Sequence, residues 1–193
     1  MRARTVIAAA LSLVAAAGAS CSRRSRAPEM LPPLHGDAVW FSEGLGVDDP
    51  EIEETLRRFH CAAVFVPARR LRAEGAGWSG SDLPQPPRPF TSAPVVLVVE
   101  TAGDPLAGAD EKRGKAFGEV LAKEITAAIA RRSAFGRVRG IHLDLPFTGA
   151  TAEAHGAALT ETRSRLSHLL AKGDAAAESA RALPITLSMR KPA

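Results

Sequence analysis

The strongest constraint on the fold of this chain is a set of five short apolar runs between residues 38 and 189. Each run is rich in β-branched or aromatic residues and short enough for one β-strand. They are AVWFS (38–42), AAVFVP (62–67), PVVLVVE (94–100), VRGIHLDL (138–145) and LPITLSM (183–189). Near-continuous apolar strands that alternate with helices are typical of a parallel sheet covered on both faces.

Helical patterns fill three of the four gaps between these runs. Apolar residues recur there at three- and four-residue intervals, which predicts helices over residues 48–59, 110–132 and 151–172. The remaining gap, residues 68–93, is dense in Gly and Pro. It predicts a long loop with at most a helical turn near residues 69–73.

The distribution of charge argues against nucleic-acid binding, although the net charge is +4. Five of the 25 basic residues lie in the first 26 positions, where no acidic residue occurs. From Ala27 onward, 20 basic residues stand against 21 acidic ones, so the predicted domain is almost neutral. A nucleic-acid-binding domain normally carries a clear positive excess.

The first 20 residues predict a secretory signal peptide, with Arg2 and Arg4 ahead of the apolar stretch VIAAALSLVAAAG. Two cleavage sites compete. Residues 17–19 (AGA) fit ordinary signal peptidase, which would release a periplasmic or secreted protein. Residues 18–21 (GASC) resemble a bacterial lipobox with Cys21 as the lipidated residue, although Gly18 replaces the usual Leu. We expect an exported lipoprotein of the cell envelope, membrane-anchored through Cys21, with residues 21–35 as a tether and 36–193 as the domain.

The second cysteine, Cys61, lies beside an apolar run in FHCAAVFV. This environment predicts a buried structural thiol more readily than a nucleophile. The sequence also predicts no cofactor and no metal, because it has no Walker motif and no His/Cys cluster with metal-ligand spacing. The match Gly44-Leu45-Gly46 is too short for a dinucleotide fingerprint.

The stretch RGIHLDLPF (139–147) carries the main functional signal. In a strand, its Ile and Leu residues point one way, whereas His142 and Asp144 point the other way. Glu100 ends the preceding run in the same manner. Polar residues in phase near the C-terminal ends of several strands suggest the mouth of a (β/α) barrel, where active sites lie. The candidate catalytic residues are therefore Asp144, Glu100 and His142. The structural alternative for Asp144 is a polar residue that caps a helix N-terminus or pairs with Arg190.

The segment GIHLDLPF resembles the fourth-strand motif of chitinase-like TIM barrels, Asp-Gly-Ile-Asp-Leu-Asp-Trp-Glu. The chain also resembles a bacterial barrel family known only as a domain of unknown function. Asp144 matches the last aspartate of the motif, whereas Arg139 and His142 replace its first and middle aspartates. Pro146 stands where the resemblance implies the catalytic glutamic acid. Because proline cannot transfer a proton, hydrolysis by that mechanism is not expected.

The fold expectation is an α/β protein, a parallel (β/α) barrel of the TIM type that is incomplete, with about five strands. Complete barrels take about 250 residues, whereas 172 follow Cys21 here. The sequence is consistent with two alternative functions. In the first, the domain is expected to bind or process envelope carbohydrate, with Trp78 on the predicted long loop as an aromatic surface on which a sugar ring can stack. Alternatively, it is a non-catalytic scaffold that self-associates through an open sheet edge.

Overall fold

The computed structural model describes residues 36–41, 50–146, 152–171 and 183–190. Its strands are β1 (Ala38–Trp40), β2 (Ala63–Glu74), β3 (Gly77–Asp82), β4 (Phe90–Ala102), β5 (Gly136–Pro146) and β6 (Ile185–Arg190). Its helices are α1 (Pro50–Arg58), α2 (Glu111–Ala130) and α3 (Ala152–Ala171), with a 3-10 turn at Arg132–Ala134. Every predicted strand and helix has a counterpart, which confirms the α/β class.

Five strands lie side by side in chain order, β1-β2-β4-β5-β6, and every neighbouring pair is parallel. The sixth strand, β3, pairs antiparallel with β2 only. Within the described ranges the sheet is open, because β1 and β6 are its two ends.

The prediction of a long loop over residues 68–93 is largely wrong. β2 continues through Glu74, the chain turns at Gly75 with a φ of 57°, and β3 returns along β2. Two charged residues of this segment are paired, since Arg69 contacts both Asp82 and Glu124 and Arg70 contacts Glu100. These ion pairs stabilise the strand at its charged positions. The predicted helical turn near residues 69–73 does not form, and only residues 83–89 are irregular.

The helices pack on one face of the sheet, which we call the helix-side face. Ile141, Leu143 and Leu145 of β5 belong to this core, as the sequence alternation predicted. The same cluster contains residues from β2 and β4 and from all three helices, among them Val66, Leu97, Leu56, Phe117, Leu121, Ile125 and Leu166. All three described helices contribute to this one cluster, whereas Val96 and Val98 on the opposite face of β4 are also buried.

Helices α2 and α3 approach each other closely through small residues. A Cβ atom at Gly114 would lie 2.2 Å from the carbonyl oxygen of Ala154, and one at Gly118 would lie 2.4 Å from that of Ala158. The Thr162 hydroxyl bridges the two helices by donating to the Gly118 carbonyl oxygen at 3.1 Å. Glycine is therefore needed at both positions for the helices to pack this closely.

Candidate functional site

The opposite face of the sheet carries the predicted site residues, and it is concave. The Phe65 ring of β2 lies 5.4 Å from the imidazole of His142 on β5, although β4 separates their strands. The Trp40 ring of β1, one strand further away, lies 5.3 Å from the same imidazole. Neighbouring strands are about 4.8 Å apart, so a flat sheet would hold these rings much further from each other. We call this surface the concave face.

Strand register places three of the polar residues in one row near the C-terminal ends of the strands. Arg70 of β2 is the partner of Glu100 on β4, and Glu100 is the partner of Asp144 on β5. Ser188 of β6 continues the row at the backbone level. The prediction that Glu100 and Asp144 end neighbouring strands is thus confirmed, whereas their catalytic role stays a prediction.

Glu100 is held by Arg70 across the strand pair. The guanidinium Nε of Arg70 donates to the Glu100 carboxylate at 2.6 Å, and a second guanidinium nitrogen contacts the same oxygen. Both side chains are largely buried. A partly buried pair of this geometry is strong, because the hydrogen bonds are charge-assisted. Glu100 is therefore oriented by Arg70, and it does not project freely toward a substrate.

Asp144 and His142 lie deeper in the concave face, with 6% and 8% of their surfaces exposed. Nδ1 of His142 lies 2.8 Å from the hydroxyl of Thr186 on β6. That hydroxyl is also 3.4 Å from the Ile141 carbonyl oxygen, to which it can donate. The contact with Thr186 on β6 thus fixes the imidazole of His142, which lies two residues before Asp144 along β5.

An aromatic pair that the sequence prediction did not emphasise lies beside His142. Trp40 and Phe65 stack with their ring centroids 5.1 Å apart and their planes 6° apart. The imidazole of His142 stands nearly perpendicular to both rings. Trp40 remains 40% exposed, so an indole surface lies open on the same face as Asp144. Alternation along the first run could have placed Trp40 on this face, but three residues give a weak pattern.

Trp78 lies elsewhere. It belongs to β3 and not to a loop, and it packs edge-on against Phe117 of α2 with centroids 5.1 Å apart. Its indole Nε1 donates to the Pro105 carbonyl oxygen at 3.2 Å, and the Arg113 guanidinium lies over its ring. Trp78 is therefore on the helix-side face and is separated from Asp144 by the sheet.

Pro146 ends β5, and its carbonyl oxygen lies 3.3 Å from Nε2 of the buried His155 on α3. The position that would hold the general acid in the chitinase-like motif thus contributes only a backbone contact. Cys61 is buried with a free thiol, as predicted. Cys21, the candidate lipidation site, lies outside the described residues.

Neither metal ligands nor a membrane span is found in the described part of the chain. It contains no group of three or more His, Cys, Asp or Glu side chains that could hold a metal ion. None of its helices is long and apolar enough to cross a membrane. The chain matches no known family model, no curated protein and no solved structure, so any function has to be argued from these contacts.

Proposed function

We propose that this chain is an exported envelope lipoprotein that binds carbohydrate on the concave face of a partial (β/α) barrel. The observation that carries the proposal is the exposed indole of Trp40, which shares this face with Asp144. An aromatic plane provides a surface on which the apolar face of a sugar ring can lie. A carboxylate accepts hydrogen bonds from the sugar hydroxyl groups.

The barrel assignment is supported by topology. Five parallel strands in chain order, with helices on one side only, are the arrangement from which a (β/α) barrel is built. The open doubly wound alternative reverses its strand order and places helices on both faces. The curvature indicated by the contact between Phe65 and His142 favours the barrel.

Binding is favoured over hydrolysis. Most glycoside hydrolases need two carboxyl groups, one of which donates a proton to the leaving oxygen. Pro146 occupies the position of that acid in the motif, and Glu100 is engaged by Arg70. Asp144 is the second carboxylate of the row, and one carboxylate can orient a sugar without cleaving it.

The test is a glycan-array screen followed by calorimetric titration of the best ligand. We expect Trp40→Ala and Asp144→Asn each to weaken binding at least about tenfold, the loss expected when a packed ring or a charged hydrogen bond is removed. Phe59→Ala, which removes an exposed aromatic ring at the end of α1, is the matched control and should bind normally. Circular dichroism checks that each variant is folded.

The alternative function is a scaffold that self-associates through the open edge, and a specific observation favours it. Ile185 and Leu187 of β6 are exposed, although their register partners Ile141 and Leu143 are fully covered. Sedimentation of the same preparation distinguishes the two functions. A stable dimer without any glycan ligand would support the scaffold and contradict the sugar site.

A further inference from the structure

Exposed arginines gather at the edge of the sheet where the parallel strands begin. Arg57 and Arg58 end α1 just before β2, Arg88 precedes β4, and Arg132 and Arg137 lie on either side of the start of β5. All five are exposed, and within the described ranges none of them forms an ion pair with a carboxylate. We call these five residues the basic edge.

One backbone and one side-chain hydrogen bond connect the segments of the basic edge. The Phe90 amide, two residues after Arg88, donates to the Phe135 carbonyl oxygen at 3.0 Å. Nε of Arg57 donates to the hydroxyl of Ser92 near the start of β4 at 3.3 Å. The arginines from α1 and from the starts of β4 and β5 therefore form one surface.

Acidic residues offset only part of this charge. Those nearest to the edge are Asp37, Glu53 and Glu54, and Glu53 is turned inward to the amides of Thr91 and Ser92. Near the C-terminal ends of the strands, acidic and basic residues are mixed, among them Glu74 with Arg72 and Glu111 with Lys112. The edge where the strands begin therefore has a positive excess, whereas the opposite edge carries charges of both signs.

Phe59 adds an apolar contact to the basic edge. Its ring is 63% exposed, the most exposed large hydrophobic side chain in the described residues. The guanidinium of Arg58 lies 5.8 Å from its centroid. An exposed aromatic ring surrounded by arginines is typical of a surface that binds a membrane. The ring inserts between the lipid head groups, and the charged groups stay at the level of the head groups.

The chain enters the domain at this same edge. Gly36 and Asp37 precede β1, and the Asp37 carbonyl oxygen accepts from the Ala62 amide, three residues after Phe59, at 2.8 Å. The segment that leads back to Cys21 therefore joins the domain beside Phe59. We propose that the basic edge docks on an anionic lipid bilayer. The inference rests on the proposed export to the envelope and is independent of the sugar site.

The experiment is vesicle flotation of the full chain carrying Cys21→Ser, so that no acyl chain contributes. Vesicles of phosphatidylcholine alone are compared with vesicles that also contain phosphatidylglycerol. Removing one basic residue near an anionic surface costs about fivefold in partitioning, so we expect Arg57→Gln with Arg58→Gln to lower binding to the anionic vesicles about 25-fold. Raising the salt concentration should weaken wild-type binding, because exposed charges are screened.

The matched control is Arg72→Gln with Lys112→Gln, two exposed cations on the side of the sheet where β2 and β4 end. This double variant loses the same net charge and should bind anionic vesicles like the wild type. Phe59→Ser should lower binding to anionic vesicles without changing its dependence on salt. Because binding is compared between chains with the same leader, the apolar segment near the N-terminus contributes equally to all of them.

Equal losses in the two double variants would overturn the proposal, because net charge and not the basic edge would then explain binding. It would also be overturned if Arg57→Gln with Arg58→Gln reduced binding to duplex DNA or RNA but not to anionic vesicles. Glycan titration of the same variants separates this inference from the sugar site, since Trp40 and Asp144 are unchanged in them.

Discussion

Gly118→Ala tests whether the contact between α2 and α3 is a principal determinant of stability. Within a helix, alanine is favoured over glycine by about 1 kcal/mol, so propensity alone predicts a more stable protein. The new methyl group, however, would lie 2.4 Å from the Ala158 carbonyl oxygen and 2.8 Å from the Cβ atom of Glu161. The first of these atoms is backbone and cannot rotate away.

Relief of this clash requires the helices to separate by about 1 Å, which would restore an ordinary contact distance. Separation would lengthen the 3.1 Å hydrogen bond from Thr162 to Gly118 and loosen the packing of Ala158. A gap of this size forfeits about a quarter to a half of each dispersion contact. Overpacking costs up to about 3 kcal/mol. After the gain in propensity, we expect a net loss of about 2 kcal/mol.

The assay is thermal unfolding followed by circular dichroism. For a domain of this size, the expected loss corresponds to a fall in Tm of about 4–8 °C. Gly156→Ala is the matched control, because Gly156 lies inside α3 and a Cβ atom there would meet nothing within 4 Å. That variant should gain about 2–4 °C. If Gly118→Ala unfolded at or above the wild-type temperature, the argument from close packing would be wrong.

Two further predictions concern contacts outside the concave face. Burial tends to raise the pKa of Glu53, but hydrogen bonds from Ser92 and Thr91 together lower it below its usual value of 4.5. A carboxylate whose pKa is lowered by folding stabilises the fold at pH values above its unfolded-state pKa, and this stabilisation is lost as the pH falls. Denaturant titrations of Glu53→Gln should therefore show a shallower decline in stability below about pH 4.5 than those of the wild type. Trp78→Phe removes the hydrogen bond to Pro105 and should cost about 1 kcal/mol of unfolding free energy without changing glycan affinity. Weaker glycan binding by this folded variant would contradict the separation of Trp78 from the concave face.

The strands and helices were predictable because their signals are local. Periodic apolar residues located all three helices, and alternation in the stretch around His142 placed Ile141, Leu143 and Asp144 on the correct faces. The β2–β3 hairpin was not predictable in the same way. Its Gly and charged residues are typical of a loop, and only the distant partner Glu124 on α2 makes a strand favourable for Arg69. At Gly80, a Cβ atom would meet that same carboxylate at 2.0 Å, so glycine there reflects tertiary packing and not a turn.

The candidate site was predictable to a similar extent. Register along parallel strands brings Glu100 and Asp144 together, which the sequence could indicate from their positions near strand ends. Two features depended on three-dimensional contacts. The engagement of Glu100 by Arg70 required β2 to extend beyond the predicted run. The stacking of Trp40 on Phe65 required the pairing of β1 with β2.

The two proposals are compatible because they use different surfaces of the same parallel strands, the concave face and the edge where the strands begin. Glu100 and Asp144 lie near the C-terminal ends of β4 and β5, whereas Phe59 and its neighbouring arginines lie where the strands begin. In a parallel sheet these ends are separated by the length of the strands, about 3.3 Å per residue. An edge docked on the bilayer would therefore direct the Asp144 row away from the membrane, toward the polymers that an envelope protein meets. A lipid anchor at Cys21 would support this orientation, because the chain enters the domain beside Phe59.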